Sequence, residues 1–230
     1  MPPFTLPAVA GTCGQDAVLY DLDGVLLDSK NLMTAVITDV TAAVLGSPPS
    51  RPAVTSALTM PPPLALHALG VPDPQTAIDT HFDAAYARHA HRATAVPGVV
   101  DVLRQLHEAG VAQGIVTLQR RHRLDMLDLS TILPLIDTLV CHDDAPPKPS
   151  PAPLRQALTR LGATAVRAWF VGDAATDVTA GRAADIRVAG ATWGYHSSAA
   201  LRDAGATVLL DTPAQIRTLT IGRQEPTTSA

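Results

Sequence analysis

Asp21 and Asp23, in the run Asp21-Leu22-Asp23-Gly24-Val25-Leu26-Leu27-Asp28-Ser29, combine residue type and spacing in a way that could do chemistry. Two acids at i and i+2 beyond a strand project to the same side. One can serve as a nucleophile and the other as a general acid or base. Gly24 permits the sharp turn that follows. An acidic loop that merely ends a strand is the plain alternative, and three further junctions argue against it. Thr117 offers a hydroxyl at the end of another apolar run. Pro147-Lys148-Pro149-Ser150-Pro151 offers an ammonium, and the prolines predict an extended loop leading into a helix. Only two of the 17 basic residues are lysine, Lys30 and Lys148, so Lys148 is unlike filler. Gly172-Asp173-Ala174-Ala175-Thr176-Asp177 offers two carboxylates four apart at a strand-to-helix junction.

The elements that must position these groups follow from the apolar pattern. Ala17-Val18-Leu19-Tyr20 is a short apolar run of the kind expected in a buried parallel strand. Further strands are expected at Val111–Thr117, Asp137–Cys141, Ala168–Val171, Ile186–Ala189 and, more weakly, Ala206–Leu210. Helical spacing marks Val99–Ala109, stopped by Gly110, Pro151–Leu161, stopped by Gly162, and Ala175–Ala184. The alternation predicts an α/β fold with a doubly wound parallel sheet and helices on both faces. The ends of four strands would then bring Asp21, Asp23, Thr117, Lys148, Asp173 and Asp177 to one edge. Residues 29–95 break the rhythm. Helices are expected at Ser29–Leu45, ended by Gly46, and at Gln75–His91, with Ile78, Phe82 and Tyr86 on one face and shorter stretches between. The expected division is a discontinuous core, 1–28 and 96–222, a helical insertion, 29–95, and a disordered polar tail, 223–230.

Composition narrows the partners. Hydrophobic residues make up 47% and charged residues 17%, as in a soluble globular chain. A net charge of −4 provides no basic field for nucleic acid. No apolar run reaches the roughly 18 residues that span a bilayer. The N-terminal MPPFTLPAVAGT lacks the positive region of a signal peptide, so a cytoplasmic location is expected. Cys13 and Cys141 are expected to be free thiols. The eight histidines show no metal spacing.

Taken in order, these junctions resemble the four motifs of the haloacid-dehalogenase superfamily, over residues 17 to 195. The insertion resembles the small α-helical cap of its phosphoglycolate-phosphatase and β-phosphoglucomutase branch. The resemblance implies a Mg²⁺-dependent phosphatase acting on a small phosphorylated metabolite, as a monomer or weak homodimer. It implies that Asp21 attacks phosphorus and that Asp23 protonates the leaving alkoxide and then activates water. It implies Mg²⁺ ligation by the Asp21 carboxylate, the Asp23 backbone carbonyl and Asp173, with Asp177 direct or through water. Thr117 and Lys148 would hold phosphoryl oxygens, with Leu118 and Gln119 lining the pocket. An ammonium about 4 Å from such an oxygen gains on the order of 4 kcal/mol per unit charge at an effective dielectric of roughly 20. The motif at Thr117 departs from the family, reading Thr-Leu-Gln-Arg where a small or amide residue more often follows the threonine. Asp23 speaks against dehalogenase and phosphonatase chemistry. A β-phosphoglucomutase-like mutase is the runner-up, although Ser29-Lys30-Asn31-Leu32 fits its hinge poorly, and a silent binding protein on the same fold is the alternative outside enzymology. Met60–Val71 and Gly190–Tyr195 faintly resemble phosphatases of 3-amino-5-hydroxybenzoate biosynthesis, which suggests an aminosugar phosphate such as kanosamine 6-phosphate beside phosphoglycolate. The insertion, tied at two short links, is expected to stand open over a solvent-filled cleft.

Overall fold

The computed structural model describes residues 16–221; the leader with Cys13 and the tail 223–230 lie outside the described residues. The strands are β1 (Ala17–Tyr20), β2 (Leu27–Asp28), β3 (Thr94–Ala95), β4 (Ala112–Val116), β5 (Thr138–Val140), β6 (Ala168–Gly172), β7 (Arg187–Ala191) and β8 (Val208–Leu210). Six of them form a parallel sheet in the order β5-β4-β1-β6-β7-β8. The chain runs outward from β1 through β4 to β5, then returns to the other side of β1 for β6, β7 and β8. That reversal is the switch point of a doubly wound sheet, and ligands bind in the crevice beyond the carboxyl ends there.

The burial pattern explains why β1 is central. All four of its residues are buried, and successive side chains face opposite layers. Val18 and Tyr20 join the layer of α6 (Val99–Glu108), through Val99, Val102, Leu103 and Leu106. Ala17 and Leu19 join Leu154, Ala157, Leu158 and Leu161 of α8 (Ala152–Leu161) and Ala180 of α9 (Ala175–Ala183). A strand apolar on both faces needs a helix on each, which is the architecture expected.

The insertion has its own apolar cluster, built from Leu32, Val36, Ile37, Val40, Val54, Leu66, Phe82 and Tyr86 among others. Its helices are α1 (Lys30–Leu45), α2 (Arg51–Ala57), α3 (Pro62–Ala68), α4 (Pro74–Ala77) and α5 (Asp83–His89). Gly46 ends α1 in the left-handed region at φ 76°, as its position predicts. Gln75–His91, expected as one regular helix, is divided by a π turn at Ile78–Phe82. Phe82 and Tyr86, four apart, are nonetheless both buried on one face and stack with centroids 6.3 Å apart. The antiparallel ribbon β2–β3, which links insertion to sheet, was not expected; pairs of two residues are too short to show alternation. No helix among the described residues is long and apolar enough to cross a membrane. Cys141 is a buried free thiol.

Candidate active site

Asp21, Thr117 and Asp173 sit immediately beyond β1, β4 and β6, and backbone bonds fix the first two. The Asp21 N–H donates to the Val171 carbonyl of β6 at 2.9 Å, and the Thr117 N–H to Val140 of β5 at 3.0 Å. The Leu22 N–H donates to Asp21 Oδ1 at 2.8 Å, which sets the carboxylate's rotation. Asp177 uses Oδ2 to accept from the N–H groups of Asp173 and Ala174, both at 3.1 Å. It thereby satisfies donors that the start of α9 would otherwise leave orphaned. Lys148 departs from the expected extended loop. It lies in a turn closed by the Ser150 N–H on the Pro147 carbonyl at 3.0 Å, with the Lys148–Pro149 bond cis. The turn sends the lysine inward, where its side chain is fully buried.

There the ammonium lies 3.0 Å from Asp21 Oδ1 and 2.6 Å from Asp177 Oδ1. It also donates to the Val116 carbonyl at 3.2 Å. The approach to Asp177 is a charge contact without hydrogen-bond alignment, so that oxygen remains buried without an aligned donor. Asp173 accepts from the Tyr195 N–H at 2.6 Å. It is walled by glycine on two sides: a Cβ on Gly24 would come 2.2 Å from its Oδ2, and one on Gly194 2.3 Å from its Cβ. Gly24, at φ 81°, is required both by the turn and by this close approach.

One ammonium faces several buried acids, and the electrostatics show it. Burial pushes the Asp21 carboxyl up to about 7; Lys148 opposes this, while Asp177 and Asp23 add to it. Burial also raises Asp173 well above the carboxylate range, reinforced by Asp177 and Asp21. Burial pulls Lys148 downward, but the charges of Asp177 and Asp21 outweigh it and hold the lysine protonated. Carboxylate oxygens of Asp21, Asp173 and Asp177 lie within 4.8 Å of one another. Such a set, oxygen-only and over-supplied with negative charge, fits a hard divalent cation. Asp23 is not in this group through its side chain; the backbone carbonyl is the atom expected to contribute.

A pH effect on stability follows. A carboxyl at about 7 when folded and 3.8 when unfolded means that the folded protein holds more protons between those values. Its stabilising contribution is complete below the unfolded value and is lost as pH rises through about 7. Asp173 acts in the same direction. The acids with lowered values, such as Asp39, Asp83 and Asp144, exert their opposite effect below the usual carboxylate range, outside this window. In chelator, Tm should therefore fall between about pH 5 and about pH 8, and excess Mg²⁺ should flatten the decline. A melting temperature that rises across that window in chelator would contradict the cluster's charge state.

Asp23 turns to the other side of the crevice. Its Oδ2 accepts from Gln119 Nε2 at 2.8 Å, and its Oδ1 is buried without an aligned hydrogen bond. Burial raises its carboxyl, opposed by the Ser29 hydroxyl, the Gln119 amide and the charge of Lys148. Thr117 is buried, and its Oγ1 accepts from the Gln119 N–H at 3.1 Å. Leu118, by contrast, is 45% exposed.

Little of the charged cluster is exposed. Asp21 is only 8% exposed, and Lys148, Asp173 and Asp177 are buried. The insertion packs beside the site, against α7 (Arg121–Leu124). Asp83 of α5 pairs with Arg123 Nε at 2.6 Å and His122 Nε2 at 2.9 Å. The Arg123 guanidinium also lies 4.4 Å from the centre of the Phe82 ring. Tyr86 is fully buried, and its hydroxyl has no partner. Burial first, then the charge of Asp23, pushes that phenol upward, against the charge of Arg123. At the hinge, Ser29 Oγ and Tyr195 Oη are 2.8 Å apart, and Lys30 Nζ donates to the Trp193 carbonyl at 3.1 Å. Sequence reasoning placed Tyr86 only on an apolar helix face and gave Asp83 and Arg123 no part in the contact between the insertion and α7. A phenol on an otherwise apolar helix face was the available signal for the first.

Comparison with known proteins agrees with this geometry. The profile of the haloacid dehalogenase-like hydrolases matches residues 18–191. The pyrophosphatase PpaX of Bacillus velezensis is 32% identical over 179 residues, covering 77% of this chain and 83% of that protein. Phosphoglycolate phosphatase 1 of Pseudomonas aeruginosa is 31% identical over 210 residues, covering 84% of this chain and 75% of that one. A haloacid dehalogenase-like family hydrolase from Streptococcus pneumoniae shares the fold with a TM-score of 0.78, at 22% identity, over 89% of this chain and 97% of its own. On a profile match that spans all four strand-end motifs, the chain belongs to the haloacid dehalogenase-like hydrolase family.

Proposed function

We propose that this protein is a Mg²⁺-dependent phosphatase that transfers the phosphoryl group of a small monoester to Asp21 and then to water. The observation that carries the reading is the buried set Asp21, Lys148, Asp173 and Asp177 at the switch point, with Asp23 held apart on Gln119. Phosphate monoesters are very inert, and splitting hydrolysis through a covalent intermediate lowers each barrier. Asp21 Oδ attacks phosphorus as the bond to the leaving oxygen breaks, and Asp23 delivers its proton to that oxygen. Asp23 then takes a proton from the water that displaces Asp21. Bound by Asp21, Asp173 and Asp177, the cation would offset repulsion between carboxylate and phosphate dianion. Lys148, locked as an ammonium, and Thr117 would bind the phosphoryl oxygens, with Leu118 contributing its backbone N–H.

The names of the relatives, phosphoglycolate phosphatase and pyrophosphatase, support a small, highly charged substrate. A panel of phosphorylated metabolites that includes phosphoglycolate, pyrophosphate and aminosugar phosphates tests this. Hydrolysis should vanish in EDTA and return with Mg²⁺, whereas Ca²⁺ should inhibit, because its larger coordination shell lets a carboxylate bind in an unproductive mode. Full turnover in chelator would sink the reading.

Residues 29–95 are read as a cap whose opening admits substrate, with Asp83, His122 and Arg123 as its clasp. Arg123→Ala should enlarge the radius of gyration and raise KM more than it lowers kcat. Unchanged scattering together with unchanged KM would remove the gating role.

A further inference from the structure

We propose that Gln119 is a positioning residue for Asp23, fixing which carboxyl oxygen carries the transferable proton. This rests on the phosphatase reading above. An amide N–H can only donate, so the 2.8 Å bond from Gln119 Nε2 keeps Asp23 Oδ2 as an acceptor. The proton is thereby assigned to Oδ1. That atom is buried without an aligned hydrogen bond, the Ser29 hydroxyl near the carboxyl failing to make one, and such an atom is left for the reacting molecule.

Gln119 is well placed for such a task because its backbone is held at both ends. Its N–H donates to Thr117 Oγ1 at 3.1 Å, and its carbonyl accepts from the His142 N–H at 3.0 Å. The side chain is thus aimed by the same residue that the phosphatase reading places on phosphate. As the bond from phosphorus to the leaving oxygen breaks, the proton passes from Asp23 Oδ1 to that oxygen, and Asp23 is left ionised. The amide bond to Oδ2 then becomes charge-assisted and stronger. An interaction that strengthens as the reaction proceeds favours the transition state over the bound substrate.

Gln119→Met tests this. It removes the amide at nearly constant volume and keeps both backbone bonds, so the fold does not depend on the change. The measurement is kcat/KM across a series of aryl and alkyl phosphates with Mg²⁺, plotted against leaving-group pKa. Alkyl alkoxides need the proton and nitrophenolate does not. The variant should lose roughly 10- to 100-fold on alkyl phosphates and about threefold or less on p-nitrophenyl phosphate, giving a steeper dependence. A fall of equal size on every substrate, or no fall at all, overturns the inference while leaving the phosphatase reading intact. A wild-type protein inert towards every monoester, with Mg²⁺ present, would overturn both.

Discussion

Asp21→Asn is expected to lower kcat on p-nitrophenyl phosphate by about 10⁴-fold or more, a loss typical of removing a catalytic nucleophile. The amide has nearly the same shape, so the bond from the residue's N–H to the Val171 carbonyl and the one its side-chain oxygen accepts from the Leu22 N–H survive. Stability should not suffer. The carboxyl at this position is already pushed up to about 7 by its burial and by the acids around it. Replacing it with a neutral group relieves that crowding in the metal-free protein, so Tm in chelator at about pH 8 should equal or exceed that of wild type. Retention of more than a trace of turnover would show that another residue attacks phosphorus.

Lys148→Met should injure both stability and rate. The lysine is the ammonium that faces Asp21 and Asp177 at 3.0 and 2.6 Å, in a place with no solvent access. Removing one partner of a buried ion pair costs about 3–5 kcal/mol, because the remaining charges stay desolvated. For a chain of this size that corresponds to a drop in Tm of about 6–20 °C. The loss should be smaller near about pH 6, where the elevated carboxyls of Asp21 and Asp173 can take up protons instead. Mg²⁺ should restore part of it. The rate should fall by a further factor of about 10²–10³, as when a preorganised electrostatic donor is removed from a reacting oxyanion. A variant that melts with wild type in chelator at about pH 8 would mean that the lysine does not balance the cluster.

The strand ends were legible because each rests on a local signal. β1 coincides with its apolar run, and α1 and α8 stop at Gly46 and Gly162, both left-handed. A short run bounded by acids or glycine leaves few ways to fold. The bond between Gln119 and Asp23 joins residues 96 positions apart, and that between Ser29 and Tyr195 joins residues 166 apart. Nothing local encodes either one. The contact between the insertion and α7 was illegible for the same reason. Asp83 has the appearance of an ordinary solvated helix acid until α7 is brought against it. The turn at Lys148 shows a further limit: flanking prolines restrict the backbone but do not by themselves choose between an extended and a turned path.

The most direct test of the account is to trap the covalent intermediate. Enzyme mixed with Mg²⁺ and substrate would be quenched in acid during turnover, reduced with borohydride and digested for mass spectrometry. An acyl phosphate on Asp21 would be converted to homoserine at that position alone, and the conversion should disappear when EDTA is present or substrate is withheld. Homoserine at Asp23, Asp173 or Asp177 in place of Asp21, or turnover that leaves every aspartate unmodified, would contradict it.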